Sequence, residues 1–193
     1  MNLLSSASLF GFFTLISRIL GYLRDILIAI FLGASISADA FFVAFRLPNT
    51  FRRLFAEGTF NAAFIPSYTS VKIVDKKNGK KFADDVLSLL LLILLLIVTL
   101  AEIFTPYLIY IIAPGFLGDQ IKFNLAIELT RIIFPFLLFV SLSSFFSGIL
   151  NSNNKFAAAA AAPIILNVVL IISLISSFVF ELNYAKQLSY GVQ

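Results

Sequence analysis

The 193 residues contain no cysteine, no histidine and no tryptophan. Lack of cysteine excludes disulfides, thiolate metal sites and cysteine nucleophiles. Lack of histidine removes the commonest general base and metal ligand. Any interfacial aromatic belt must therefore come from the 6 Tyr and some of the 23 Phe. Charge is also scarce. Only 12% of residues are charged and 60% are hydrophobic, where soluble domains carry about 25% charge. No metal site, no nucleophile with a base and no cofactor loop can be assembled from what remains, so the chain reads as a non-enzyme without cofactor or metal.

The apolar residues fall in long runs. Val86 to Ile112 holds one acidic or basic residue, Glu102, and Phe156 to Phe180 holds none. Each exceeds the ~20 residues that cross roughly 30 Å of hydrocarbon as a helix. The expected fold is an all-α polytopic membrane bundle with five full spans and the start of a sixth. Their expected ranges are about 3–31, 37–60, 86–112, 126–150 and 156–180, with a partial helix at 185–193. Breakers fit this division: Leu32-Gly33-Ala34-Ser35, Ala113-Pro114-Gly115 and Asn151-Ser152-Asn153-Asn154 separate the runs. Residues 1–17 carry no Lys or Arg, which argues against a cleavable signal. A half-helix at the end cannot satisfy its backbone in lipid unless more protein covers it, so the chain is expected to be part of something larger.

Lysines set the orientation. The segment after the second span holds Lys72, Lys76, Lys77, Lys80 and Lys81, and that after the fourth holds Lys155, against Lys122 and Lys186 on the other side. Positive-inside bias places the first group, and the amino terminus, in the cytoplasm. The net charge of +4 is divided among loops and spans. No basic stripe on a soluble domain exists for a nucleic acid.

Arginine behaves differently from lysine. Five of the six, Arg18, Arg24, Arg46, Arg52 and Arg53, lie inside the first two spans. Each costs ~2.5–3.5 kcal/mol at a helix centre, which argues for an aqueous cavity. At 100° per residue Thr14, Arg18, Gly21 and Asp25 fall within about 60° of one another, with Ser17 and Arg24 on the adjacent line. On the second helix Asn49, Arg53 and Ala56 align, flanked by Arg46, Arg52 and Glu57. Arg53 and Glu57 are four apart and can pair. Arginine keeps its charge in poor solvent and presents a planar fork that matches phosphate oxygens. The structural alternative is simple pairing with Asp25, Asp39 and Glu57, which leaves two positive charges over. Glu102 and Arg131 read as snorkelling residues, or as an outer gate pair, and Asn167 as an interhelical hydrogen bond.

The stretches Ser17-Arg18-Ile19-Leu20-Gly21-Tyr22-Leu23-Arg24-Asp25 and Ala38-Asp39-Ala40-Phe41-Phe42-Val43-Ala44-Phe45-Arg46-Leu47-Pro48-Asn49 resemble the MurJ (MviN) lipid II flippases. So do Arg52-Arg53-Leu54-Phe55-Ala56-Glu57-Gly58 and, further on, Ala113-Pro114-Gly115-Phe116. The resemblance implies a transporter of the multidrug/oligosaccharidyl-lipid/polysaccharide superfamily, with two lobes around a cationic cavity, in the bacterial inner membrane. It implies that lipid II, an undecaprenyl-pyrophosphate carrying the peptidoglycan precursor, passes from the cytoplasmic to the periplasmic leaflet by alternating access. Arg18, Arg24 and Arg52, with Asn49 and Arg53, would bind the pyrophosphate. Ser17, Asp25, Asp39 and Glu57 would act in gating and ion pairing. Partners would be lipid II, membrane lipids and the second lobe of the same protein, which has no counterpart in 193 residues. Rival readings are an exporter of another polyprenyl-linked oligosaccharide, and a membrane scaffold whose arginines dock a partner's acidic helix.

Overall fold

Apolar residues at helical spacing, interrupted by Gly, Pro and Asn, give a bundle of α-helices in the computed structural model. The structure describes residues 3–56, 59–153 and 156–192, with side chains at 8, 11–51, 60–153 and 161–192. The helices are α1 (Leu3–Leu32), α2 (Ile36–Ala56), α3 (Thr59–Val74), α4 (Lys76–Ile112), α5 (Gln120–Ile133), α6 (Phe136–Ser152), α7 (Phe156–Val179) and α8 (Tyr184–Val192). A single 3₁₀ turn, Pro114–Phe116, follows α4. No strand occurs among the described residues.

Local chemistry sets the helix ends. Gly33 closes α1 at φ +56°, donating its N–H to the Ala29 carbonyl at 3.1 Å, a left-handed cap that favours glycine. Two residues later the Ser35 hydroxyl accepts the Ala38 N–H at 3.1 Å and starts α2. Asp75 caps α4 by accepting the Lys77 N–H at 2.8 Å, and Asp119 caps α5 by accepting those of Ile121 and Lys122. Pro135 has no N–H to continue the ladder, and the fourth span breaks there into α5 and α6.

Three stretches among the described residues are long and apolar enough to cross a membrane: Lys76–Ile112, Gln120–Ser152 and Ala161–Val179. The all-α membrane bundle expected from composition is what the chain forms. One expectation needs correction. Residues 61–85, expected as a loop, form most of α3 and the first ten residues of α4. Phe60, Phe64 and Tyr68 recur at helical spacing and stack on one another, with ring centroids 5.4 and 5.5 Å apart. They face α4 and α6, and this burial outweighs the lysines that made the segment look like a loop.

Packing divides the bundle into two cores. Toward the α1–α2 turn, Leu32, Phe41, Ala44, Leu129, Ile133, Leu174 and Leu188 meet. Toward the α3–α4 turn, Phe64, Tyr68, Leu94, Leu137 and Phe145 meet. Glycine allows the second core to close. A Cβ on Gly148 would fall 2.6 Å from Asn61 Oδ1 and 3.3 Å from the Phe64 ring, and Asn61 is already tied to the Ser144 hydroxyl at 3.0 Å. Gly148→Ala is therefore expected to cost about 1–3 kcal/mol, read as a lowered unfolding midpoint in detergent. An unchanged midpoint would show that α3 and α6 are less tightly apposed.

Candidate anion-binding face

Helix α1 lies along α7, and α2 lies along α5 and α6. Among the described residues α1 and α2 share no extended contact. The two polar stripes are thus not pressed together as a hairpin, although Ile28 and Leu32 of α1 and Phe41 and Ala44 of α2 enter one shared core.

The line Ser17, Gly21, Arg24 and Ile28 turns toward α7. There Asn167, buried at 6% exposure in an otherwise apolar stretch, makes two bonds to α1. Its amide nitrogen donates to the Ser17 carbonyl at 3.0 Å, and its Oδ1 accepts from an Arg24 guanidinium nitrogen at 2.8 Å. Gly21 provides the room, since a Cβ there would sit 3.5 Å from the Asn167 amide nitrogen. An Ala would just fit and a larger side chain would not. The other edge of the Arg24 fork donates to one oxygen of Asp25, at 3.0 and 2.7 Å. Asp25 is 63% exposed and Arg24 24% exposed. Arg24 is therefore oriented from within by a neutral amide and neutralised from outside by a solvent-facing carboxylate. An incoming anion can replace that carboxylate without moving the arginine.

Arg18, one position from Ser17, points away from α7 and is exposed; it forms no ion pair among the described residues. On α2, Ala38, Ala40, Phe41, Ala44 and Pro48 face the bundle, leaving Asp39, Phe42, Arg46 and Thr50 outward. Arg46, Leu47, Thr50 and Ile112 line an open pocket of about 310 Å³. The Thr50 hydroxyl donates to the Arg46 carbonyl at 2.8 Å and is thereby tied to the helix backbone. Asn49 is half-buried beside it. Arg46, placed by the sequence only on a flank, is thus a further cation on this face. The signal for it was its seven-residue spacing from Asp39 and from Arg53.

Asp39 does not meet an arginine. It pairs with Lys122 at the start of α5, whose ammonium also lies 4.5 Å from the Phe116 ring centre. Arg52 and Arg53 fall within α2, but their side chains lie outside the described set, and Glu57 lies outside the described residues. Glu102 keeps one carboxyl oxygen buried with no hydrogen-bond partner among the described residues, while Arg131 is exposed and does not close on it. Lys186 of α8 pairs with Glu128 of α5 at 2.6 Å. With Arg24 and Asp39 compensated in this way, Arg18 and Arg46 are the described arginines of α1 and α2 left to face an anion. No group of acidic residues able to hold a metal ion occurs among the described residues.

The comparisons with known proteins agree with one another. The family model described as lipid II flippase MurJ matches residues 28–192. A probable lipid II flippase MurJ of Rickettsia prowazekii (strain Madrid E) is 46% identical over 172 residues, covering 89% of this chain and 34% of that protein. One of Rhizobium tropici is 44% identical over 197 residues, covering 100% of this chain and 37% of that protein. A solved structure of lipid II flippase MurJ in an inward closed conformation superposes with a TM-score of 0.80 at 32% identity, over 95% of this chain and 39% of that one. The chain spans about a third of the length of the curated relatives it matches.

Proposed function

The chain belongs to the MurJ family of lipid II flippases, and from that footing we propose that α1 and α2 form one wall of a cationic cavity that holds the lipid II pyrophosphate during its passage between leaflets. The observation that carries this reading is the state of the arginines. Arg24 is held ready by Asn167, while Arg18 and Arg46 face outward without a counter-charge among the described residues. Such cations on membrane-embedded helices are costly unless water or an anion meets them. The chemistry is non-covalent. Pyrophosphate oxygens displace Asp25 from the Arg24 fork and draw in Arg18 and Arg52, with Asn49 and Arg53 completing the contact. Substrate charge then offsets repulsion among the arginines, and Ser17, Asp25, Asp39 and Glu57 exchange partners as the cavity closes on one side and opens on the other. The second wall belongs to the remaining length seen in the relatives. The site sits in the bacterial inner membrane, with the amino terminus and the α3–α4 turn in the cytoplasm; the lysines at that turn support this orientation.

Arg18 provides the direct test. In cells depleted of their own flippase, the protein carrying this chain with Arg18→Gln is expected to lower the outward-facing lipid II pool at least roughly tenfold, as for one lost charged hydrogen bond. The pool is measured by cleavage with an externally added pyrophosphatase acting on polyprenyl-linked substrates. Arg18→Lys, which keeps charge but loses the fork, is expected to fall between. An undiminished pool in Arg18→Gln at normal protein level would remove Arg18 from the site.

A further inference from the structure

Lys122 takes no part in the arginine face of α1 and α2, yet it is held on three sides. Its backbone N–H donates to Asp119 Oδ1 at 3.0 Å, its ammonium pairs with Asp39 of α2, and that ammonium lies 4.5 Å from the Phe116 ring centre. Only 20% of the side chain is exposed. Asp119 is the cap of α5, so Lys122 is the third residue of that helix. This is the unfavourable end for a cation, because the positive pole of the macrodipole lies there. The stability of α5 gives no reason for a lysine at this position. Its partner on the neighbouring helix does.

The pair is exclusive among the described residues. Glu128, further along α5, is taken by Lys186, and Asp119 Oδ1 already accepts two N–H groups of its own first turn. No other cation of α2 stands within one turn of Asp39, since the residues three and four positions on are Phe42 and Val43. The next cation on the same line is Arg46, two turns along and about 10 Å down the axis. Both side chains are exposed. The Cα–Cβ bond of a helical residue tilts toward the N-terminus, which aims Arg46 back at Asp39. Without Lys122, the Asp39 carboxylate would stand uncovered on the face that carries Arg46. A carboxylate there lowers the pull of the guanidinium on any other anion.

We infer that Lys122 is a positioning residue of the cationic wall: by holding the Asp39 carboxylate against α5, it keeps Arg46 free for the anionic substrate. This role presupposes the wall proposed above and adds to it a residue from a third helix. It differs from that of an ordinary exposed ion pair, which contributes little beyond local packing. Lys122 acts on the substrate only through Arg46.

A double-mutant cycle tests this dependence. The protein carrying this chain is expressed in cells depleted of their own flippase, and the outward-facing lipid II pool is measured at matched protein level. Lys122→Gln is expected to lower the pool about three- to tenfold, the effect of one uncovered charge some 10 Å from Arg46. Lys122→Arg, which keeps the charge, is expected to stay close to the parent. Arg46→Gln is expected to lower the pool at least as far as Lys122→Gln, and the double variant to match Arg46→Gln alone. Additive losses would assign Lys122 to α2–α5 packing and overturn the inference. An Arg variant as impaired as the Gln variant would do the same, because charge would then not be what matters. So would an undiminished pool in Lys122→Gln or in Arg46→Gln. The wall itself stands or falls separately, by Arg18→Gln: if that variant lowers the pool while the cycle is additive, the wall is kept and only the role of Lys122 is lost.

Discussion

Arg24→Ala is expected to abolish translocation in practice, whereas Asn167→Leu should weaken it and add nothing to the Arg24 defect. Removing one partner of a hydrogen-bonded charge contact costs about 2–5 kcal/mol, or roughly 30-fold to several-thousand-fold in rate. Asn167→Leu keeps the charge but removes the acceptor that holds the guanidinium at 2.8 Å and the donor that ties α7 to the Ser17 carbonyl. Loss of a hydrogen bond to a charged group costs about 1.5–3 kcal/mol, roughly ten- to a hundred-fold. Because the two residues act through one contact, the double variant should match Arg24→Ala alone. The readout is again the lipid II pool open to external cleavage, at matched protein level. Fully additive losses would mean that Asn167 contributes only to α1–α7 packing.

The second large effect concerns stability. Phe145 is 1% exposed and lies against three other rings, with centroids 5.0 Å to Phe64, 5.4 Å to Phe146 and 6.3 Å to Phe60. Phe145→Ala is expected to cost about 3–5 kcal/mol, a large share of the 5–15 kcal/mol that stabilises a typical fold. In lipid the transfer term shrinks, because hydrocarbon is also apolar, and the lost dispersion contacts carry the cost. The neighbouring Phe146 is 50% exposed and provides the control. Phe146→Ala should shift the unfolding midpoint in mixed detergent micelles far less. Equal shifts would show that the inner core is not organised around Phe145.

Much of this fold was readable along the chain, and the reasons are local. The runs Val86–Ile112 and Phe156–Phe180 had to be helices, since a lipid-exposed backbone must bond to itself. The turn at Gly33 follows from one residue's missing Cβ, whereas the break at Pro135, inside a run expected as one span, emerges only in the structure, where the missing N–H interrupts the ladder. Helix α3 escaped notice because its buried face is only three rings wide and its far end is rich in lysine. Its register becomes clear only once Gly148 lets Asn61 and Phe64 reach α6.

The arginine-rich face divides in the same way. That cations in α1 and α2 would seek anions followed from composition and spacing, because burying unpaired charge in a membrane is costly whatever the packing. Which of them are already satisfied did not follow. Arg24 finds Asn167, 143 residues away, and Asp39 finds Lys122, 83 residues away. Those choices depend on α1 lying against α7 and α2 against α5, an arrangement set by side-chain fit between helices and by no property of either helix alone. Sequence by itself determined that this is a membrane bundle with more arginine than acid in its first two helices. Tertiary structure decided which arginines are held and which are left facing outward, because ion pairs form at distances of a few ångströms and only packing brings residues so far apart in the chain that close.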